Sequence, residues 1–67
     1  MPYVTIRLTG EKINEQQSAT LIRETTDMLV RVLGKNPETT WVLIEELNPQ
    51  HWGIAGESVA ERLRRGA

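Results

Sequence analysis

Polar and apolar residues alternate from Tyr3 to Leu8, with Val4, Ile6 and Leu8 on one face and Tyr3, Thr5 and Arg7 on the other. That period of two predicts a β-strand with one covered side. Thr9, Gly10, Glu11 and Lys12 follow as a polar connection holding a turn-permissive glycine. The period then lengthens to three or four. Ala19, Ile22, Thr26, Leu29 and Leu33, joined by Leu21, Thr25, Met28 and Val32, form one broad apolar stripe, while Arg23, Glu24, Asp27 and Arg31 fall largely opposite. Asn14 and Gln17 have the spacing of a capping box, in which each side chain bonds the other's main-chain N–H. Gly34 suits the position just past the last turn, and Lys35 suits the negative end of the helix dipole. The spacing therefore predicts a helix from about Glu15 to Leu33.

After Asn36, Pro37 and Glu38, the run "TTWVLIEEL" is rich in β-branched and aromatic residues and predicts a second strand, from about Thr40 to Leu47. Its continuously apolar centre is that of a strand covered on both faces. Strand, helix and strand in succession make a βαβ unit with parallel strands and a right-handed crossover. In "NPQHWGIAGES" the turn formers Asn48, Pro49, Gly53 and Gly56 predict a loop and a short hairpin. Ser58 with Glu61 has capping spacing, so a brief helical turn is expected through Val59 to Leu63. The fold class is thus α+β, with two parallel strands, one long helix and a short C-terminal hairpin in a single domain over residues 1–67.

Size changes this picture. At 67 residues a lone core buries only roughly 60% of the surface of the unfolded chain, and chains this short usually need disulfides, a metal or oligomerisation. Cysteine is absent and one histidine cannot build a structural metal site. Oligomerisation remains, and the bare second face of a two-stranded sheet is a further reason to expect it. A net charge of −1 offers no footprint for nucleic acid; Arg62, Arg64 and Arg65 read as a solvated end. No apolar run approaches a membrane span of roughly 20 residues and no signal-peptide pattern opens the chain, so a soluble, cytoplasmic protein is expected.

The familiar catalytic constellations are missing: no cysteine nucleophile, no phosphate-cradling glycine loop, no histidine cluster. His51 reads as a loop residue without an orienting acid beside it. Glu45 and Glu46 are neighbours in a strand and point to opposite faces. Pro2 remains. It is either a harmless first residue of a strand or, once Met1 is removed, a secondary amine. Apolar surroundings disfavour the charged form of such an amine and lower its pKa, and nearby cations lower it further. A neutral amine near physiological pH is what a general base requires.

Together "MPYVTIRL", "NEQQSATLIRETTDMLVRVLG", "WVLIEEL" and "HWGIAGESV" resemble the 4-oxalocrotonate tautomerase family over nearly the whole chain. The resemblance implies a cofactor-independent isomerase acting on a small enol or unsaturated 2-oxo acid. Pro2 would be its general base after loss of Met1. It also implies a homo-oligomer, usually a hexamer built as a trimer of dimers, whose neighbouring subunits complete each site. Trp52 stands where the family carries an aromatic residue lining an apolar pocket. Lys12 lies near a carboxylate-binding arginine of the family, in a loop that reads as one residue longer, and would bind as a point charge without a bidentate fork.

The departure is Trp41, at the place of a second arginine that steadies the reacting 2-oxo group. Its indole offers one neutral donor instead, which sets this chain apart from the muconate tautomerases. Arg7 is a candidate replacement cation. Two other readings stay open. One is a hydratase or dehalogenase in which Glu11, Glu45 or Glu46 activates water while a protonated Pro2 acts as acid. The other is a non-catalytic oligomeric interaction protein.

Overall fold

The structure, a computed structural model, describes residues 1–9 and 12–66. Strand β1 (Tyr3–Thr9) is followed by helix α1 (Glu15–Leu33) and strand β2 (Trp41–Leu47). A two-stranded hairpin, β3 (Gly53–Ile54) and β4 (Glu57–Ser58), leads into the short helix α2 (Val59–Arg64). β1 and β2 pair in parallel, in a register that sets Tyr3 opposite Trp41, Thr5 opposite Leu43, Arg7 opposite Glu45 and Thr9 opposite Leu47. The predicted parallel βαβ unit and the C-terminal hairpin are both present.

Local chemistry sets the element ends. Asn14 Oδ1 accepts from the Gln17 N–H at 2.8 Å while Gln17 Oε1 accepts from the Asn14 N–H at 3.0 Å, so the capping box closes in both directions. At the other end Gly34 takes φ 66°, and its N–H donates to the Val30 carbonyl at 2.9 Å. Left-handed backbone is nearly free only for glycine, so the helix stops there. Nineteen residues at 1.5 Å each give about 28 Å of helix, enough to carry the chain back along β1 to the start of β2.

Some boundaries shift from those the sequence predicts. β1 runs one residue further, to Thr9, because pairing with Leu47 continues the ladder. β2 begins at Trp41 and not at Thr40, because Pro37–Thr39 forms a single 3₁₀ turn whose last bond is the Thr40 N–H to the Pro37 carbonyl. That turn is started by Asn36, whose side chain accepts from the Glu38 N–H. Asn48 starts a second 3₁₀ turn, Pro49–His51, in the same way. Of the expected Ser58 and Glu61 box only one half forms: Ser58 Oγ accepts from the Glu61 N–H at 3.2 Å.

The hairpin turn holds two residues of positive φ in succession, Ala55 at 55° and Gly56 at 79°. A two-residue loop of this kind matches the twist of the strands it joins. For Ala55 the conformation costs about 1 kcal/mol.

Val4, Ile6, Leu8, Val42 and Ile44 are half-buried on one side of the sheet. The other side is open: Tyr3 is 64% exposed, Trp41 56% and Leu43 42%. The continuously apolar centre of β2 is therefore not covered on both faces within one chain. α1 shows the same excess. Leu21, Thr25, Thr26 and Leu29 are half-buried, but Ile22, Met28, Val32 and Leu33, from the same predicted stripe, are exposed.

No described residue is fully buried. The accessible surface is 5268 Å², against about 4300 Å² for a compact monomer of this mass. The radius of gyration is 15.3 Å, against about 11 Å for a compact chain of this length.

Candidate active site

The parallel register decides where each candidate residue lies. Pro2 and Trp41 share one end of the sheet: the Trp41 N–H donates to the Pro2 carbonyl at 2.9 Å, pinning the N-terminal residues to the start of β2. Tyr3 and Trp41, directly paired, form an aromatic edge beside Pro2 on the open face. In the structure Met1 is attached and 83% exposed. The Pro2 nitrogen is then an amide, which has no basic lone pair.

Lys12 follows the far end of β1. Seven residues of strand at about 3.3 Å each separate the two ends by roughly 20 Å, beyond the reach of one small substrate. Trp52 comes after the far end of β2, on a C-terminal segment in which the Pro49–His51 turn, β4 and α2 pack chiefly on one another. Its carbonyl accepts from the Val59 N–H at 2.9 Å. The Trp52 indole nitrogen and Thr9 Oγ1 are both shut from solvent without a hydrogen-bond partner among the described residues, each an expense of about 1–3 kcal/mol. One chain thus brings Pro2 and Trp41 together and leaves Lys12 and Trp52 at the opposite end.

Arg7 stands mid-strand on the open face, its Nε 3.6 Å from Glu45 Oε1 across the register. Glu46, one residue on, belongs to the other face of the strand, as the pleat requires. Glu11 lies outside the described residues. His51 is an exposed turn residue.

Sequence reasoning missed a cleft where the end of β1 meets the start of α1. It measures about 530 Å³ and is lined by Leu8, Ile13, Asn14, Gln16, Gln17, Thr20 and Leu21. Ile13 was the available signal, as the one apolar residue between Leu8 and the helix stripe. Nothing in its spacing shows that a cleft lies between Leu8 and Leu21.

The basic tail is engaged, not merely solvated. Arg65 Nε donates to Glu57 Oε2 at 2.8 Å, its Nη2 donates to Oε1, and Arg62 Nη1 lies 3.7 Å from the same carboxylate. The Arg65 guanidinium holds the Glu57 carboxyl below its usual range, slightly offset by desolvation. This ties the hairpin to α2.

A parallel βαβ unit with a proline at the head of its first strand and a C-terminal hairpin defines a class of small α+β enzymes. The chain belongs to the tautomerase family: the pattern of the family described as "Tautomerase enzyme" matches residues 2–62. It is 46% identical over 67 residues to the probable tautomerase K2 of Dickeya dadantii (strain 3937), with both chains fully covered. Among solved structures it is similar to DmpI from Helicobacter pylori, at 35% identity and a TM-score of 0.82 over 96% of this chain and 97% of that one. It is also similar to TomN, described as a 4-oxalocrotonate tautomerase homologue in the tomaymycin biosynthetic pathway, at 30% identity and a TM-score of 0.86 over 98% and 100% of the two chains. The chain is accordingly a 4-oxalocrotonate tautomerase-like enzyme. Among the described residues no helix is long and apolar enough to cross a membrane.

Proposed function

We propose that the chain catalyses enol–keto proton transfer on a small unsaturated 2-oxo acid, with the Pro2 amine as general base once Met1 is removed. The observation that carries this reading is Pro2 itself, fixed by the Trp41 N–H at 2.9 Å at the head of a tautomerase fold. Cleavage of the exposed Met1–Pro2 bond converts an amide into a secondary amine. The neutral amine takes the enol proton, and the resulting ammonium returns a proton to carbon, so the base is regenerated without a cofactor. Apolar neighbours such as Tyr3 and Trp41 favour the neutral form of that amine.

The working unit in this reading is a homo-oligomer, a hexamer by the family resemblance, in a cytoplasmic setting. Support comes from the split of the candidate residues between two ends roughly 20 Å apart. A site that needs both the Pro2 and Trp41 end and the Lys12 and Trp52 end takes them from different copies. The surplus of about 1000 Å² of surface over a compact monomer also fits the roughly 800 Å² per partner of a standard interface. Lys12 then supplies a point charge to a substrate carboxylate, Trp52 an aromatic wall, and Arg7 a cation on the open face tempered by Glu45.

The test compares three preparations: processed protein, Pro2→Ala, and protein with Met1 retained, each assayed for ketonisation of phenylenolpyruvate. Processed protein is expected to be active and the other two to lose activity by about 10²-fold or more, the low end of a general base's contribution. Equal rates in all three would refute the mechanism.

A further inference from the structure

Resting on the reading of Trp52 as a wall of the Pro2 site, we propose that Glu57 and Arg65 are positioning residues: their side-chain fork clamps α2 to the hairpin and so fixes the indole of Trp52. Both act through Trp52 and not on the reacting atoms.

The clamp closes a unit whose parts are each short. The hairpin pairs only Gly53 with Ser58 and Ile54 with Glu57, and an isolated two-stranded hairpin is marginal in water. α2 has six residues, below the roughly 12–15 at which a helix begins to stand alone. Ser58 caps it through one bond, from the Glu61 N–H. Among the described residues the fork is the only hydrogen bonding between two side chains, and it runs from the residue after α2 back to β4.

Trp52 lies at the junction of what the clamp holds. Its carbonyl accepts from the Val59 N–H at 2.9 Å, the rung that follows Gly53 and Ser58 in the hairpin register and the first N–H of α2. Its own N–H donates to the Pro49 carbonyl, and the Pro49–His51 turn in turn packs on α2. Trp52 is therefore tied to α2 on both sides of its Cα, and the seating of α2 sets the seating of the indole, whose nitrogen is shut from solvent.

Arg65 has the geometry for this task. Nε donates to Glu57 Oε2 at 2.8 Å and Nη2 donates to Oε1, the paired bonds by which a guanidinium fixes angle as well as distance. Arg62 Nη1, 3.7 Å from Oε1, adds charge beyond hydrogen-bond distance and fixes no angle. A partly solvated pair adds little to global stability, so its loss leaves the chain folded and its effect is one of alignment.

The test has a spectroscopic and a kinetic arm. In a Trp41→Phe background Trp52 is the one tryptophan left, and its emission reports its shielding. Glu57→Gln and Arg65→Gln, each shown folded by circular dichroism, are expected to shift that emission to longer wavelength and to raise acrylamide quenching about twofold, and the double variant to go no further, because both substitutions remove one interaction. Arg65→Lys, which keeps the charge and loses the fork, is expected to behave like Arg65→Gln, whereas Arg62→Gln is expected to leave the emission unchanged. In processed protein with Trp41 intact, the fork variants are expected to raise KM for phenylenolpyruvate about threefold with kcat held, since a wall contributes alike to ground state and transition state.

Unchanged emission in the folded fork variants would overturn the clamp, as would an equal shift from Arg62→Gln, additive losses in the double variant, or shifted emission with unchanged KM. Absence of ketonisation from the processed protein itself would sink the proton-transfer reading instead, and the emission arm would still decide whether the fork seats Trp52.

Discussion

The Trp41 N–H donates to the Pro2 carbonyl at 2.9 Å, one step ahead of the register pair Tyr3 and Trp41. This bond joins the first residue that would remain after methionine removal to the start of the second strand. The carbonyl side of Pro2 is immobilised while its nitrogen side stays at the exposed end of the chain. Replacing the Trp41 side chain leaves this main-chain bond in place, so Trp41→Phe is expected to preserve the fold while removing the indole N–H together with part of the aromatic surface beside Pro2. Far-ultraviolet circular dichroism checks the fold, and the rate of phenylenolpyruvate ketonisation reads what the indole contributes to the proposed site.

The capping box should be measurable in stability. Asn14→Ala removes the acceptor for the Gln17 N–H and is expected to cost about 1 kcal/mol. Urea denaturation at one fixed protomer concentration reads the loss, and a change below a few tenths would mean that the cap is replaced by water.

Gly34 tests a backbone effect free of crowding. A Cβ at this position meets nothing within 4 Å, so Gly34→Ala pays only for φ 66°, about 1 kcal/mol. Gly34→Asn should recover part of it, because asparagine tolerates the left-handed region. Ala55 is the mirror case: Ala55→Gly relieves a φ of 55° and is expected to raise the thermal midpoint slightly.

The open sheet face makes assembly testable. Leu43, 42% exposed, lies on that face between Trp41 and Glu45 in the β2 pleat. Leu43→Asp is expected to shift sedimentation equilibrium toward the monomer, and the thermal midpoint of the unmodified protein should fall on dilution, as for any fold stabilised by association.

Glu57 gives the pH dependence. Its folded-state pKa is lowered by the Arg65 hydrogen bond, so the contact contributes fully above the ordinary carboxylate pKa and is lost as pH falls through the lowered value. The effect is confined to the hairpin and α2 and is small, since the groups are partly solvated. Amide chemical shifts of residues 53–64 followed between pH 6 and 2 should show this titration, and Glu57→Gln should abolish it.

Much of the fold was legible because its signals are local. Asn14, Gln17 and Gly34 bracket a helix through bonds reaching no further than four or five residues, and the alternation from Tyr3 to Leu8 needs no partner to be recognised. Pro2 was legible as a candidate base because its chemistry follows from its place behind Met1. The limits of β2 were less clear, because Thr40 is β-branched like a strand residue yet closes a turn begun by Pro37. The cleft was not legible, since a gap between Leu8 and Leu21 depends on how α1 and β1 pack against each other, which no local pattern encodes.

The sequence by itself determined the order and type of the elements and the kind of amine Pro2 would become, because capping, periodicity and covalent position act over a few residues. Only the tertiary structure decided the register that sets Tyr3 opposite Trp41, the bond from the Trp41 N–H to the Pro2 carbonyl, and which face of the sheet stays open. The βαβ order makes the strands parallel, but the residue-by-residue register and the cover of each face depend on how helix and sheet pack, which no local pattern encodes.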